Sequence, residues 1–290
     1  MLLRDRTVVV TGASAGIGRS TAALLARSGA HVLAVARNGD ALDELAREHP
    51  TVEPLVADLG EPAGREAVME RAEHVDVLVS NAARGFTGLV EEMTFKELEA
   101  IFDLNVLATI DLTLRVLPQM LERRSGNIVV VGSILGYAAT PPLSAYAASK
   151  FALQGFTEGL RREVATRGVK VSLITPGAVN TRFLGRTSRE EVGTDLPARL
   201  LGVPPILVAA AVLRTITLAP LPGYTTVAVP RAAGLARLAA LPGVARLVDT
   251  ATALAARPLR TGGQLDAGPA RKGPNGSPPQ GDPVRSASST

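Results

Sequence analysis

The strongest constraint on the fold is an alternation of short β-branched runs with longer segments of helical periodicity. Apolar runs lie at residues 7–10, 31–36, 53–57, 75–80, 127–131 and 170–175, and a seventh candidate lies at 225–229. Most of them lack polar alternation, which is typical of strands that helices cover on both faces. The segments between them, at residues 18–28, 41–49, 62–73, 94–124 and 146–167, are rich in Ala, Leu, Glu and Arg. Because parallel neighbours need a crossover, this order predicts an α/β fold with a doubly wound parallel sheet of six to seven strands and helices on both faces.

The chain of 290 residues is long enough for one such domain with a modest extension. We predict a main domain over residues 1–232, which includes a lid at about 181–205 followed by a helix to about 218. Phe183, Leu184 and Leu196 of the lid suggest an apolar ligand. A helical C-terminal extension is predicted at 233–260. Gly, Pro and Ser make up half of residues 261–290, so we expect this tail to be disordered.

The composition excludes several classes of function. Aromatic residues make up 3% of the chain and Trp is absent, which leaves little for stacking on bases, so no nucleic-acid partner is expected. Without cysteine the chain has no disulfide, thiolate metal site or cysteine nucleophile, which fits a reducing compartment. The three histidines lack ligand spacing, so no metal is expected. No apolar signal core follows the basic start, and we expect a cytoplasmic location.

A glycine-rich turn, Thr11-Gly12-Ala13-Ser14-Ala15-Gly16-Ile17-Gly18, joins the first predicted strand to the first predicted helix. A backbone that passes close to a pyrophosphate needs residues without side chains, and the following helix offers unpaired N–H groups and the positive end of its dipole. The hydroxyls of Ser14 and Thr11 are candidates for further hydrogen bonds. A merely tight turn is the alternative. The position after the first strand favours a nucleotide site on a Rossmann-type fold.

The end of the second predicted strand indicates which nucleotide binds. NAD sites usually place an acid about 20 residues after the glycines, where it accepts a hydrogen bond from the ribose 2′-hydroxyl. Here the strand ends Ala36-Arg37-Asn38, without an acid. Arg37 can make a charge-assisted contact with the extra 2′-phosphate of NADP, although a solvated arginine at a strand end is also common. We therefore predict NADP(H) as the cofactor over NAD(H), although Ala15 supplies no second cation.

Tyr146 and Lys150 lie four residues apart in a predicted helix, so their side chains share one face. A phenol with a pKa of about 10 is a poor base at neutral pH, and we expect the neighbouring ammonium to lower the pKa of Tyr146. Ser133 follows a buried strand, at the edge where open sheets bind ligands, and can donate a hydrogen bond to a carbonyl oxygen. An unrelated Tyr–Lys pair and a turn-capping serine are the alternatives. Tyr137 competes for the acid role but lacks a matching lysine, so it is expected to line the pocket.

Taken in order, these motifs resemble the short-chain dehydrogenase/reductase family over about residues 5–181. Besides the glycine turn, the matching segments are Val56-Ala57-Asp58-Leu59, Leu104-Asn105-Val106, Val131-Gly132-Ser133, Tyr146-Ala147-Ala148-Ser149-Lys150 and Pro176-Gly177 with Thr181. The family's Asn-Asn-Ala-Gly motif is Ser80-Asn81-Ala82-Ala83 here. Ala83 replaces a glycine beside the cofactor, and an alanine costs little there if the backbone angles are ordinary.

The resemblance also implies roles for these positions. Ser133, Tyr146, Lys150 and Asn105 form the implied catalytic set. The implied cofactor contacts are Gly12, Ser14, Gly16, Ile17, Gly18, Arg37, Asp58, Leu59, Asn81, Tyr146, Lys150, Pro176, Gly177, Val179 and Thr181. Asp58 is expected to contact adenine, and Asn105 to hold a water that relays protons to Lys150. Because asparagine is a poor helix former, we expect a local kink at Asn105, and a buried asparagine satisfied by the backbone is the alternative.

These features predict an NADPH-dependent oxidoreductase that interconverts a carbonyl and a secondary alcohol on a small-molecule substrate, with Tyr146 as acid and base. A non-catalytic NADP-binding sensor or scaffold is the alternative, disfavoured because such family members usually lose the serine, tyrosine or lysine. Arginines interleaved with Leu, Ala and Val after Gly223 resemble a weak basic amphipathic stretch, for which packing on the domain is favoured over a membrane surface. The resemblance implies a homodimer or homotetramer assembled through the helices at 94–124 and 146–167.

Overall fold

The computed structural model describes residues 3–181, 202–218 and 226–240. Most of the predicted lid, with Phe183, Leu184 and Leu196, lies outside the described residues. So do the predicted extension beyond residue 240 and the predicted tail 261–290. The described start of the extension is a 3₁₀ helix, Arg231–Ala240. In these three ranges, no helix combines the length and the apolar character needed to cross a membrane.

Seven strands in the described residues form one parallel sheet. They are β1 (Thr7–Thr11), β2 (His31–Ala36), β3 (Val52–Val56), β4 (Val77–Ser80), β5 (Gly126–Val131), β6 (Val169–Pro176) and β7 (Thr226–Val229). Their order across the sheet is β3-β2-β1-β4-β5-β6-β7. In the register, Val9 of β1 lies opposite Leu33 of β2 and Leu78 of β4. The predicted strands are all confirmed, with ends that differ by no more than two residues.

Helices cover both faces of the sheet. They are α1 (Gly16–Arg27), α2 (Gly39–Glu48), α3 (Pro62–Arg71), α4 (Phe95–Phe102), α5 (Ala108–Glu122), α6 (Ser144–Val164) and α7 (Pro205–Thr217). One core lies between the sheet and α1, α2 and α7, and the other lies between the sheet and α3, α5 and α6. Successive residues of a strand alternate between the two cores, so Val8 and Val10 enter the first while Val9 enters the second. The predicted doubly wound fold is confirmed.

The predicted helix at 94–124 is interrupted in its middle. α4 and α5 are joined by a π-helical turn, Asp103–Leu107, which contains Asn105. The kink expected at this asparagine is therefore confirmed, because the wider turn lets its side chain leave the helix and bond elsewhere. Gly29 and Gly168, which follow α1 and α6, have φ values of +88° and +81°, the left-handed conformation expected where these helices stop.

The strand order reverses at the centre of the sheet. β1 pairs with β2 on one side and with β4 on the other, and the crossovers from these two strands leave on opposite faces. Open α/β sheets bind ligands in the crevice that such a reversal creates at the carboxyl ends of the strands. The glycine turn follows β1 at this edge, and Asn81 follows β4. The fold therefore places the two motifs side by side.

Candidate active site

The glycine turn forms a cradle that side chains would fill. Gly12 and Gly16 have φ values of +68° and +54°, which favour glycine. A Cβ on Gly12 would lie 2.9 Å from the Cα of Ala82, and one on Gly18 would lie 2.1 Å from the carbonyl oxygen of Gly12. α1 begins at Gly16 with no side-chain cap and no acid in its first turn. The cradle thus fits the pyrophosphate of a dinucleotide, because the helix start leaves N–H groups and a positive dipole end for an anion.

The buried hydroxyl of Thr11 ties the glycine turn to the end of β4. Its Oγ1 accepts from the N–H groups of Asn81 and Ala82, both at 2.9 Å, and donates to the carbonyl of Val79 at 3.3 Å. The Asn81 amide completes the link, since Nδ2 donates to the carbonyl of Thr11 at 2.9 Å. The Thr11 hydroxyl, a candidate for further hydrogen bonds, is therefore committed to the end of β4. Ser14 is half-buried and makes no hydrogen bond with the residues that the structure describes.

Ser133 and Tyr146 meet at the carboxyl edge of β5. Ser133 caps a 3₁₀ turn, Ile134–Gly136, and its Oγ accepts from the N–H of Leu135 at 3.1 Å. Tyr146 lies in the first turn of α6 and keeps partial exposure. Burial of the phenol raises the pKa of Tyr146 above its ordinary value, while a hydrogen bond with Ser133 acts to lower it. The two hydroxyls predicted to act together are thus in contact.

Lys150 lies one turn after Tyr146 and is 3% exposed. Its Nζ donates to the carbonyl of Val131 at 3.0 Å and lies 5.5 Å from the centre of the Tyr146 ring. Burial lowers the pKa of Lys150 to about 8. The expectation that the ammonium lowers the pKa of Tyr146 was wrong for this arrangement, because desolvation of the phenol dominates and Nζ points at a β5 carbonyl.

Asn105 is fully buried and connects three parts of the site. Its Oδ1 accepts from the N–H of Arg84 at 2.8 Å, and its Nδ2 donates to the carbonyl of Arg84 and to Ser149 Oγ, both at 2.9 Å. Ser149 in turn donates to the carbonyl of Tyr146 at 2.7 Å. The asparagine therefore links the loop after β4 to the helix that carries Tyr146. This arrangement matches the alternative of a buried amide satisfied by protein groups, and the water relay stays a prediction.

Arg37 and Asp58 face each other beyond the ends of β2 and β3. Arg37 Nη1 lies 3.5 Å from Asp58 Oδ2, and the two side chains are 70% and 45% exposed. Asn38, the next residue, caps α2 by accepting from the N–H of Ala41 at 3.1 Å. Arg37 thus places a largely exposed guanidinium at the edge beside the glycine cradle, and its contact with a 2′-phosphate stays a prediction.

The segment after β6 closes over the glycine turn. A Cβ on Gly16 would lie 3.0 Å from Thr181 Cγ2, so the two motifs touch although they are far apart in sequence. Gly177 donates its N–H to the carbonyl of Val229 at 2.8 Å, and Val179 forms an isolated parallel bridge with Val203. Pro176 ends β6. These four predicted cofactor residues, Pro176, Gly177, Val179 and Thr181, are placed at the carboxyl edge beside the cradle.

Two predicted cofactor residues have side chains that belong to the cores. Leu59 is 4% exposed and packs on the α3 and α5 side, and Ile17 packs against the opposite core. Any contact from Leu59 therefore comes from its main chain.

A cavity of about 390 Å³ lies at the amino ends of β1 to β3, lined by residues that include His31 and His74, and none of the predicted site residues line it. Across the described ranges, no three His, Cys, Asp or Glu side chains are grouped to hold a metal ion.

Comparison with known proteins identifies the family. The short chain dehydrogenase family matches residues 6–192. The chain belongs to this family. Among curated relatives, the mouse (Mus musculus) protein "Dehydrogenase/reductase SDR family member 7B" is 36% identical over 193 residues, which are 62% of this chain. The match covers 60% of the mouse protein, so the chain spans less than two thirds of that relative's length.

Solved structures of this family share the fold over most of the chain. A short-chain dehydrogenase from Streptomyces avermitilis has a TM-score of 0.72 at 32% identity and covers 89% of this chain and 98% of its own. A short-chain dehydrogenase from Sphingobium yanoikuyae in complex with NADPH has a TM-score of 0.68 at 27% identity, with coverages of 93% and 99%. Similar structures include complexes with NADP and with NAD. The fold of this chain is therefore shared by family structures that hold NADP or NAD.

This family member departs from the usual motif at Ser80-Asn81-Ala82-Ala83. Ala83 is not among the residues with positive φ, so its backbone accepts a Cβ without strain, as the sequence analysis required. The Ser80 hydroxyl is buried and has no hydrogen-bond partner within the described residues. The first position of the motif thus contributes no bond here, and Asn81 carries the contact to β1.

Sequence reasoning missed several residues that support the site. Ser149 bridges Asn105 and Tyr146, and Arg65 with Asp111 holds the turn after β3. Ser149 lies between Tyr146 and Lys150, so a small polar residue on the buried side of that helix was a usable signal. Arg65 and Asp111 lie on separate helices, and no local pattern of residues indicates that they pair.

Proposed function

We propose that this short-chain dehydrogenase is an NADPH-dependent oxidoreductase that interconverts a carbonyl and a secondary alcohol on a small molecule. The observation that carries the proposal is the convergence of Ser133, Tyr146 and Lys150 at the carboxyl edge of the sheet, beside the glycine cradle. A nucleotide-binding scaffold needs the cradle alone. The buried lysine and the paired hydroxyls fit acid–base chemistry on a substrate oxygen instead.

Each of the three side chains has a separate role at the substrate oxygen. Ser133 donates a hydrogen bond that stabilises negative charge developing on that oxygen, and Tyr146 gives or takes its proton. Lys150, held at the Val131 carbonyl, supplies a positive charge near the phenol and a donor for the nicotinamide ribose. When bound, the nicotinamide supplies or accepts the hydride. Asn105 and Ser149 keep the helix that carries Tyr146 in register with the loop after β4.

Arg37 supports NADPH over NADH as the cofactor. Its guanidinium is 70% exposed at the end of β2, where the 2′-substituent of a cofactor seated on the cradle would lie. A planar guanidinium and a phosphate form a charge-assisted pair, which NADH cannot make. NADPH preference would in turn favour reduction of the carbonyl in cells.

The cofactor is tested by titrating the purified chain with NADPH and NADH, with Arg37→Ala alongside. We expect tight NADPH binding that weakens toward the NADH level in Arg37→Ala, since a charge-assisted contact contributes about 1.5–3 kcal/mol. Arg27→Ala, at the end of α1, removes an arginine away from the cradle and is the matched control. Equal binding of both cofactors would remove Arg37 from this role, and binding of neither would refute the enzymatic proposal.

The chemistry is tested on a panel of ketones, aldehydes and steroid-like alcohols. On any substrate that turns over, Tyr146→Phe should lower kcat by about 10²- to 10⁴-fold while NADPH still binds. Ser133→Ala should lower kcat by about 10²- to 10³-fold, the usual cost of losing one donor to a developing oxyanion. Loss of turnover in Tyr137→Phe but not in Tyr146→Phe would show that the acid was misassigned. Unchanged turnover in both Tyr146→Phe and Tyr137→Phe would remove both tyrosines from the acid–base role.

We further propose that two copies associate through α5 and α6. Leu114 on α5 is 61% exposed and Phe151 on α6 is 45% exposed, so each helix presents a large apolar side chain that a second copy could cover. On α6, a Cβ on Gly155 or Gly159 would meet nothing within 4 Å, so these glycines leave room for a second helix to approach. The same α5 and α6 helices are the ones for which the family resemblance implied assembly.

A further inference from the structure

The turn after β3, Asp58-Leu59-Gly60, is fixed by hydrogen bonds at both ends. Asp58 Oδ1 accepts from the N–H of Gly60 at 3.0 Å, and the Asp58 carbonyl accepts from the N–H of Glu61 at 3.1 Å. Arg65 of α3 donates through Nη1 to the carbonyls of Leu59 at 2.9 Å and Gly60 at 3.0 Å. The turn therefore has a defined conformation, in which the second oxygen of Asp58 is directed to Arg37.

Asp111 of α5 keeps Arg65 in this position. Arg65 Nε donates to Asp111 Oδ2 at 2.7 Å, and Arg115 Nε donates to Oδ1 at 2.9 Å. The Arg65 and Asp111 side chains are only 12% and 29% exposed. Burial acts to raise the pKa of Asp111, but the hydrogen bonds from Arg65 and Arg115 bring it below its ordinary value. Asp111 is therefore charged at neutral pH, and the pair anchors the turn to α5.

Asp58 also contacts Arg37, whose guanidinium is the proposed partner of the 2′-phosphate. Arg37 Nη1 and Asp58 Oδ2 are 3.5 Å apart, and both side chains are largely open to solvent. A planar guanidinium forms stronger hydrogen bonds with one carboxylate or one phosphate than with each of them when both are present. The two anions also repel each other. A bound 2′-phosphate would therefore compete with Asp58 for the Arg37 guanidinium.

We propose that Asp58 sets the cofactor discrimination of this enzyme by competing with the 2′-phosphate for Arg37, and that Arg65 and Asp111 are positioning residues that hold Asp58 there. The inference rests on the proposed role of Arg37. NADH has no phosphate at this position, so the competition acts on NADPH alone. Any contact of Asp58 with adenine is common to both cofactors, and it cancels in the ratio of their dissociation constants.

The first test measures Kd for NADPH and NADH by titration of the full chain and its Asp58→Asn variant. Asparagine keeps an oxygen for the Gly60 N–H and removes the charge. We expect Kd for NADPH, relative to Kd for NADH, to fall by about two- to fivefold, the range of an exposed ion pair. Asp40→Asn is the matched control, because Asp40 lies in the first turn of α2, near Arg37, and has no ion pair within the described residues. It should leave the ratio within the error of the wild type.

The second test separates positioning from general stability. Arg65→Gln should weaken both cofactors and also raise the relative preference for NADPH, because the freed turn no longer holds Asp58 at Arg37. In the Asp58→Asn background, Arg65→Gln should not change the ratio further. Arg115→Gln removes the other partner of Asp111 without touching the turn, so it should leave the ratio unchanged. Asp111→Asn, which removes the carboxylate that holds Arg65, provides the same readout if Arg65→Gln unfolds.

The outcomes separate this inference from the proposed function. If Arg37→Ala lowers the NADPH preference but Asp58→Asn does not raise it, Asp58 does not compete, and only this inference is overturned. If Arg37→Ala does not change the preference for NADPH, Arg37 does not bind the 2′-phosphate, and the inference about Asp58 fails with it. A shift in Asp40→Asn equal to that in Asp58→Asn would show a general effect of charge. If Arg65→Gln changes the ratio of the two Kd values equally in the wild-type and Asp58→Asn backgrounds, Arg65 does not act through Asp58, and its positioning role is overturned.

Discussion

Replacing Lys150 by methionine tests whether the site lysine is held at a cost to stability. Lys150 is 3% exposed, its Nζ donates to the Val131 carbonyl, and burial lowers its pKa from 10.5 to about 8. A pKa difference of about 2.5 corresponds to about 3 kcal/mol between the two protonation states. At neutral pH, burial of the charged lysine should therefore reduce the free energy of unfolding by about this amount.

The sign of the pH dependence follows from the two pKa values. An unfolded lysine keeps its proton up to about pH 10.5, whereas folded Lys150 releases it near pH 8. Between these values the unfolded chain binds more protons, so the free energy of unfolding rises with pH. From pH 7.5 to 9.5 this group alone should contribute an increase of about 2 kcal/mol.

The assay is urea unfolding at several pH values across that range, for the wild type, Lys150→Met and Lys96→Met. The difference in free energy of unfolding between the wild type and Lys150→Met should change by about 2 kcal/mol with pH. Loss of the hydrogen bond to Val131 adds only a constant offset of about 1 kcal/mol. Lys96 is exposed, so Lys96→Met should follow the wild type. Parallel curves for the wild type and Lys150→Met would refute the argument.

Three further changes test other parts of the structure. Thr11→Val removes three buried hydrogen bonds and should lower the free energy of unfolding in urea by about 1–3 kcal/mol. Ser80→Ala removes a hydroxyl without a partner among the described residues and should be neutral or stabilising. Equal losses in the two variants would contradict the role of Thr11 at the junction of β1 and β4. Gly18→Ala places a Cβ 2.1 Å from the Gly12 carbonyl oxygen, so it should destabilise by about 1–3 kcal/mol and weaken NADPH binding, which thermal unfolding and titration would show. Leu114→Arg should convert the proposed dimer to a monomer in analytical ultracentrifugation, and an unchanged mass would exclude this surface.

The fold could be predicted from the sequence because its signals are local and repeated. The inner strands are short, mostly apolar runs buried on both faces, whereas the edge strands β3 and β7 are partly exposed. Asn105 is the clearest case, since an asparagine inside a helical pattern predicted a local kink and the structure has a π-helical turn there. The helix at 94–124 was nevertheless predicted as one element, because a π turn keeps the apolar periodicity on both sides.

The residues that support the site were harder to predict because their partners are distant in sequence. The Thr11 hydroxyl was a candidate for further hydrogen bonds, and the fold brings two N–H groups and a carbonyl of the β4 end within its reach. Lys150 was expected to lower the pKa of Tyr146. A pairwise argument from spacing omits desolvation, which is the largest influence on the pKa of both groups. In each case the prediction left out the groups that surround the side chain in the folded protein.

The altered motif after β4 shows which of its atoms hold the site. Asn81 contributes an N–H and an amide to β1, and Ala82 contributes a second N–H, so the junction of the two strands is made without help from Ser80. Ser80 keeps a buried hydroxyl that has no partner among the described residues, at a cost of about 1–3 kcal/mol. Ala83 is tolerated because its φ is negative. The position and conformation of the main chain, rather than the full motif, therefore keep the cradle open beside the proposed catalytic residues.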